Sequence, residues 1–141
     1  ANPNYLQEHP APKVPEDIKK HRALIYTTAQ SDHRWSFTNP QNQTEVVEVK
    51  GPFISNNLSS ILSAARAGMG LAALPCYVAH QSIQDQVLQP VMEDWLLPSQ
   101  EMHAVFSSPK HVPTKVSQCI DWLQGQFKGE WWKGLPPEHI E

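Results

Sequence analysis

Residues 56–75, NNLSSILSAARAGMGLAALP, decide the fold, because they predict a capped helix that ends at a glycine and continues into a short apolar strand. The side chain of Asn56 or Asn57 can cap the helix by accepting a backbone N–H that the first turn leaves unpaired. Gly68 can end the helix in the left-handed conformation, and the apolar residues 71–74 then form the strand. One face of the helix follows the 3.6-residue period and consists of Leu58, Ile61, Leu62 and Ala65.

The sequence on either side of this unit predicts strands that alternate with helices. Strand-forming residues occur at 23–28, 35–37, 45–49, 87–91 and 102–106, and helical patterns occur at 15–20, 75–84 and 113–127. Residues 5–8 can form one helical turn between the prolines of the opening segment. Trp35 and Phe37 share one face of their strand, which favours a place in the core over a ligand platform. Pro90 indicates that its strand lies at an edge. This alternation is typical of an α/β fold with a mixed, mostly parallel sheet.

Length and charge exclude several classes of protein. The 141 residues fit one domain or one lobe of a larger domain. The net charge is −3 and the 11 basic residues do not cluster, so the chain on its own is poorly suited to bind nucleic acid. No run reaches the roughly 18 apolar residues that a membrane helix needs, and the first residues show no signal peptide. We therefore expect a cytoplasmic protein with no membrane partner.

The two cysteines, Cys76 and Cys119, lie far apart and in segments of different character. This arrangement favours buried free thiols in a reducing compartment over a disulfide scaffold. A single bridge between the two cysteines is the alternative that the sequence leaves open.

The sequence contains neither a metal-binding pattern nor a catalytic motif. Its seven histidines form no pair four residues apart and no HExxH, and neither cysteine belongs to a CxxC pair. GxSxG, Walker and GxGxxG motifs are also absent. Capping explains five acidic residues at predicted helix starts and turns, namely Asp17, Asp32, Asp85, Glu93 and Asp94. We therefore expect no enzymatic activity, no cofactor and no metal.

Several segments, in their order along the chain, resemble the regulatory domain of LysR-type transcriptional regulators. The opening residues resemble the start of the second regulatory subdomain of that family, and WSF matches its W-x-F strand. The helix–strand unit matches the most recognisable run of the family, and the closing segments match its last strand and helix. The segments are 3–6, 15–18, 35–37, 56–75, 103–108 and 115–127. The resemblance extends to about Lys128.

The resemblance implies a periplasmic-binding-protein-like (type 2) fold in which two subdomains hold a small, anionic effector in the cleft between them. Residues 1–103 then form the second subdomain. Residues 104–141 form the return strand, the C-terminal helix and a tail that belong to an incomplete first subdomain. In this family an N-terminal winged helix-turn-helix domain binds DNA, and we expect that domain to lie outside this chain. A solute-binding protein of a transport system, which shares the fold, is the alternative.

The resemblance also implies which residues contact the effector. They are Thr27 and Thr28 at the end of the first strand, and Ser55, Asn56 and Asn57 at the turn into the central helix. Hydroxyls, amides and a helix N-terminus can hold a carboxylate by hydrogen bonds without a buried counter-charge. The structural alternatives, β-propensity for the threonines and capping for the asparagines, remain open at this stage.

The family further implies a homodimer, since its regulatory domains pair side by side through the helix that corresponds to residues 58–67. Small residues on the other face of that helix permit close contact: Ser59, Ser63 and Ala67. The last helix carries an apolar stripe and Trp122, with Trp131 and Trp132 following. We expect dimerisation or exchange of this segment to cover these side chains.

Overall fold

The computed structural model describes residues 1–27, 33–99, 103–105, 113–129 and 131–134. The chain forms two compact units, Ala1–Pro98 and Ser99–Glu141. The assignment of residues 1–103 and 104–141 to two regulatory subdomains stays a prediction. Within the described residues, no helix is both long and apolar enough to cross a membrane.

The first unit contains all five strands that are found in the described residues. In chain order its elements are α1 (Pro3–Glu8), a 3₁₀ helix (Pro15–Lys20), β1 (Ala23–Tyr26), β2 (Arg34–Thr38), β3 (Thr44–Glu48), β4 (Phe53–Ser55), α2 (Leu58–Arg66), β5 (Leu71–Ala72) and α3 (Cys76–Gln84). The sequence predicted each of these elements except β4. It is only three residues long, too short for an alternating pattern to identify it.

β1 is the middle strand of a three-stranded sheet with the order β4-β1-β5. It pairs in parallel with both neighbours, with Tyr26 opposite Ser55 on one side and Ala23 opposite Leu71 on the other. β2 and β3 pair antiparallel and form a second, two-stranded sheet. The predicted α/β class with a mostly parallel sheet is therefore confirmed.

Both faces of β1 are buried. Ala23, Leu24 and Ile25 are at most 1% exposed, and successive side chains of a strand point to opposite faces. Ala23 and Ile25 pack in a first cluster with Tyr5, Ile18, Phe37, Val47, Val49 and Leu71. Leu24 packs in a second cluster with Ile61, Ala64, Ala65 and Leu88. Trp35 packs against the first cluster, so the core role predicted for Trp35 and Phe37 is confirmed.

Two glycines allow the outer strands to approach β1 at its amino end. A Cβ on Gly51, before β4, would overlap the carbonyl oxygen of Ala23, and a Cβ on Gly70, before β5, would overlap that of Arg22. The Leu71 N–H donates to the Arg22 carbonyl at 2.8 Å, which fixes the start of β5. Gly68 has a φ of 75°, the left-handed conformation predicted for the residue that ends α2.

The predicted strand at 87–91 is wrong. Gln86 and Met92, which flank this segment, have φ values of 59° and 56°, and an extended chain does not adopt such values. The N–H groups of Val87 and Leu88 both donate to the Ser82 carbonyl of α3 at 2.9 Å, instead of joining a strand ladder. The apolar residues that suggested a strand are explained by Leu88, which fills the second core cluster from a loop.

The two cysteines are free, as predicted, but the prediction that they are buried is wrong, because both are exposed. Cys76 is the first residue of α3, whose buried residues are Ala79 and Ser82. Cys119 lies on α4 (Thr114–Gln126) in the second unit, a helix with no buried residue. A cysteine is therefore not necessarily buried when few residues pack against the helix that carries it.

The second unit contains α4 and a short 3₁₀ helix (Trp131–Gly134). Large apolar side chains on α4 are exposed, with 63% of the Trp122 surface accessible. They are Val116, Trp122 and Leu123, and Phe127, which caps the end of α4, is exposed as well. The Phe127 ring meets Trp131 edge to face, with ring centroids 4.9 Å apart. Of the predicted strand at 102–106, residues 103–105 lie in no strand, and 102 and 106 fall outside the described residues.

The two clusters around β1 generate a stability prediction. Ile61 of α2 is 0% exposed, and truncation of such a residue removes buried contacts and leaves a cavity. We expect Ile61→Ala to lower the free energy of unfolding by about 2–5 kcal/mol. The matched control is Ile83→Ala on α3, where the side chain is 37% exposed, and we expect a change within about 1 kcal/mol. Urea denaturation followed by circular dichroism measures both, and equal losses would contradict this core.

Candidate functional site

The carboxyl ends of β1 and β4 meet at one edge of the parallel sheet. Tyr26 and Ser55 are paired at this edge, and the N–H of Thr27 donates to the Ser55 carbonyl at 2.9 Å. Thr27 follows β1, and Ser55 is the last residue of β4. In parallel sheets the loops after the strand ends collect at a single edge, where ligands bind in many α/β proteins.

The turn from β4 into α2 is held by side chains. The Asn57 N–H donates to the Ser55 Oγ at 3.1 Å. The Asn57 Oδ1 accepts the N–H groups of Ser59 at 2.8 Å and of Ser60 at 3.2 Å. Asn57, rather than Asn56, therefore caps α2, and its backbone is extended, as the capping position requires.

The cap changes which groups are offered to a ligand. The N–H groups of Ser59 and Ser60 are occupied by the Asn57 side chain, so they do not project freely from the helix start. The Ser55 hydroxyl accepts from the Asn57 N–H and retains its own O–H to donate. The positive end of the helix dipole lies at the same place. Donation by hydroxyl and amide side chains is therefore the chemistry that this edge can offer.

The structure brings four of the five predicted residues together within this strand-end and turn region: Thr27, Ser55, Asn56 and Asn57. Thr27 and Ser55 are partly buried, and the two asparagines are exposed. Thr28 lies outside the described residues. None of the four carries a charge, so an anion bound here would be held by neutral donors. Their role in binding an effector stays a prediction.

A concavity of about 480 Å³ runs along α2. Of the predicted residues it includes Asn57. Its remaining lining comes from β4, α2 and the residues after the helix, and comprises Phe53, Ser59, Ser60, Ser63, Ala64, Ala67 and Met69. Sequence analysis assigned Ser59, Ser63 and Ala67 to a contact face of this helix. Phe53 was missed because β4 was not predicted, and no signal in the sequence marks it.

Metal-binding geometry is not found in the described part of the chain. There, no group of three or more His, Cys, Asp or Glu side chains is placed to hold an ion.

The cap provides a prediction about α2. Asn57→Ala removes the acceptor of two backbone N–H groups, and we expect it to lower the free energy of unfolding by about 0.5–2 kcal/mol. Asn56→Ala is the matched control, since Asn56 is exposed and does not cap the helix, and we expect a loss of less than about 0.5 kcal/mol. Thermal denaturation of both variants tests the assignment, and the reverse order of the two losses would refute it.

Comparison with known proteins places this geometry in a family. A family model described as the LysR substrate binding domain matches residues 1–128. An uncharacterized HTH-type transcriptional regulator of Haemophilus influenzae is 29% identical over 117 residues, which cover 83% of this chain and 40% of the relative. The probable HTH-type transcriptional regulator LtrA of Klebsiella pneumoniae is 27% identical over 122 residues, covering 84% and 39%. The chain thus spans about two fifths of the length of these curated relatives.

Solved structures agree with the sequence relatives. The full-length virulence activator AphB of Vibrio cholerae, a member of the LTTR protein family, superposes with a TM-score of 0.75 at 29% identity, covering 89% of this chain and 42% of that chain. The regulatory domain of AphB from Vibrio vulnificus superposes with a TM-score of 0.66 at 26% identity, covering 89% and 61%. The expected regulatory-domain fold is confirmed, and the chain belongs to the LysR substrate-binding domain family.

Proposed function

We propose that this chain is the effector-sensing part of a LysR-type transcriptional regulator and that it binds a small anion at the junction of β1, β4 and α2. The observation that carries the proposal is the meeting of Thr27 and Ser55 with the capped start of α2, in a chain whose residues 1–128 match the LysR substrate binding domain. An anion would lie against the Thr27 and Ser55 hydroxyls and the asparagine amides, with Thr28 as a further donor.

Neutral donors suit a reversible sensor. A buried counter-charge is left without a partner whenever the ligand leaves, which costs free energy, whereas hydroxyls and amides exchange the ligand for water at lower cost. The dipole of α2 adds a modest attraction for negative charge, about 0.3–1 kcal/mol at an exposed helix end. Such a site favours a ligand that a cell can bind and release as its concentration changes. The effector then shifts the relation of subdomains or subunits.

The remaining parts of the proposal concern the whole protein. DNA binding would be supplied by a winged helix-turn-helix domain outside this chain, and the cytoplasm would be the site of action. The chain would sense without catalysing a reaction, in keeping with relatives that are described as transcriptional regulators. Those descriptions favour a regulator over the solute-binding protein that shares the fold.

A change of charge at the cap tests effector binding without removing the cap. Aspartate caps helices about as well as asparagine, so Asn57→Asp should keep the free energy of unfolding within about 1 kcal/mol of the wild type. The added carboxylate would repel an anion a few ångströms away. We expect the affinity for the best anionic compound to fall by about tenfold or more. A thermal-shift screen with benzoate, succinate and glutamate identifies the compound that stabilises the wild type most. Isothermal titration calorimetry then measures the affinity of the wild type and the variant for that compound.

The matched control is Asn42→Asp, at the turn between β2 and β3, where Asn42 has a φ of 61° that aspartate also tolerates. This variant adds the same charge on a different element, and we expect its affinity to match the wild type. Equal losses in the two variants would refute the placement of the anion at Asn57. If none of the carboxylates changes the melting temperature of the wild type, anion binding by this chain is refuted.

The exposed apolar stripe of α4 supports a homodimer, and light scattering tests it. We expect size-exclusion chromatography with light scattering to show a dimer at micromolar concentrations. Leu123→Glu places a charge on the stripe, and we expect it to produce a monomer, because burial of an unpaired carboxylate is costly. Gln124→Glu adds the same charge to the neighbouring exposed position and should leave the dimer intact. A wild-type chain that is monomeric throughout would contradict the proposal.

A further inference from the structure

The Tyr5 side chain joins α1 to the start of β1. It is 3% exposed, and its Oη accepts the backbone N–H of Arg22 at 3.1 Å. The same oxygen lies 3.2 Å from Nδ1 of His21. Tyr5 belongs to α1, whereas His21 ends the 3₁₀ helix and Arg22 leads into β1. A three-member hydrogen-bond chain therefore holds α1 in place.

The neutral imidazole satisfies every member of this chain. Because the Tyr5 oxygen already accepts from Arg22, its own hydrogen is best placed to donate to Nδ1 of His21. The imidazole also forms a hydrogen bond with the backbone of Pro10, which suits an N–H on its other nitrogen. A proton on Nδ1 would remove the acceptor of the Tyr5 hydroxyl and leave a buried O–H without a partner, which costs free energy.

Titratable and charged groups face the Tyr5–His21 pair from α1 and from the 3₁₀ helix. From α1 and its end, the His9 ring stacks on Tyr5 with centroids 4.4 Å apart, and it lies 6.3 Å from the His21 ring. From the 3₁₀ helix, Asp17 and Lys20 face the imidazole with opposite charges, and they pair with each other at 2.9 Å. The Arg22 guanidinium lies 5.4 Å from the centre of the Tyr5 ring. Burial, His9 and Lys20 together lower the pKa of His21 by more than Asp17 and the Pro10 backbone raise it.

α1 is also tied to the far end of α2. The Asn2 Oδ1 accepts the Asn4 N–H at 2.8 Å and so caps α1, while the Asn2 Nδ2 donates to the Arg66 carbonyl at 2.7 Å. Arg66 is the last residue of α2. One side chain therefore links the start of α1 to a carbonyl that the helix itself leaves unpaired. Movement of α1 would release this carbonyl.

We propose that Tyr5 and His21 form a proton-sensitive latch, in which protonation of His21 removes the acceptor of the Tyr5 O–H, loosens α1 from the start of β1 and frees the C-terminal end of α2. The latch does not depend on the identity of an effector or on where it binds. As the pH falls, the C-terminal end of α2, a helix of the proposed sensing unit, would become less ordered.

The direction of the effect follows from linkage. Burial lowers the pKa of His21 below its usual value of 6.5, and His9 lowers it further. The unfolded or released chain then takes up the proton at a higher pH than the latched chain. The stability from the latch is therefore fully present above about pH 6.5 and is lost as the pH falls from there toward the lowered pKa.

Hydrogen exchange tests the latch in the chain as it stands. The reporters are the Leu6 and His9 amides of α1 and the Gly68 and Met69 amides after α2, all hydrogen-bonded to the backbone. After correction for intrinsic exchange, we expect their protection to fall several-fold from pH 7.5 to pH 5.0, because the released chain takes up the proton more readily than the latched chain. His33→Gln, at an exposed histidine, should behave like the wild type, whereas His21→Gln should lose the pH dependence.

Two results would overturn the proposal. One is protection in the wild type that does not change between the two pH values, and the other is an unchanged pH dependence in His21→Gln. A titration of the wild-type histidines by nuclear magnetic resonance needs no variant to fold. A His21 pKa at or above 6.5 in that titration would also overturn the latch, while a lower value that moves together with the α1 amide signals would support it.

Discussion

Burial of β1 on both faces is the constraint on which the rest of the first unit depends. A strand whose side chains alternate between two apolar clusters must be covered on each side, since neither Leu24 nor Ile25 can face water without loss of hydrophobic stabilisation. α2 covers one face, and the β2–β3 pair with α1 and the 3₁₀ helix covers the other. β4 and β5 then complete the sheet, and Gly51 and Gly70 permit the close backbone approach at its amino end.

The same arrangement creates a place for ligand chemistry. Parallel pairing brings the carboxyl ends of β1 and β4 to one edge, and the short connection into α2 leaves room for little more than Ser55, Asn56 and Asn57. Asn57 consequently caps the helix through its side-chain oxygen and can still donate through its side-chain N–H groups. The Asn57 side-chain oxygen caps the helix, so in the proposed site recognition would rest on the hydroxyl and amide groups beside it. At the other end of α2, Asn2 also has two roles, because it caps α1 and donates to the Arg66 carbonyl of α2.

Sequence reasoning succeeded where a local rule acts alone and failed where packing overrides it. The period of Leu58, Ile61 and Ala65, the left-handed Gly68 and the core role of Phe37 were all predicted, because each follows from a short-range pattern. The residues of segment 87–91 favour a strand, yet left-handed residues on each side turn it into a loop. β4 was not predicted, because a strand of three residues is too short to show an alternating pattern. Burial of Cys76 and Cys119 was wrong because exposure depends on what lies against an element.

Local patterns in the sequence are enough to predict the α/β class, the capped helix with its glycine end, and the resemblance to LysR-type regulatory domains, since periodicity, capping and segment order are properties of neighbouring residues. The tertiary structure alone decided that Thr27 lies beside Ser55 and that Asn57, not Asn56, caps α2. It also decided that Tyr5 reaches His21 and Arg22 from α1. These contacts join residues that are distant in the chain, and their partners are selected by the pairing of strands and the burial of β1, which no local pattern records.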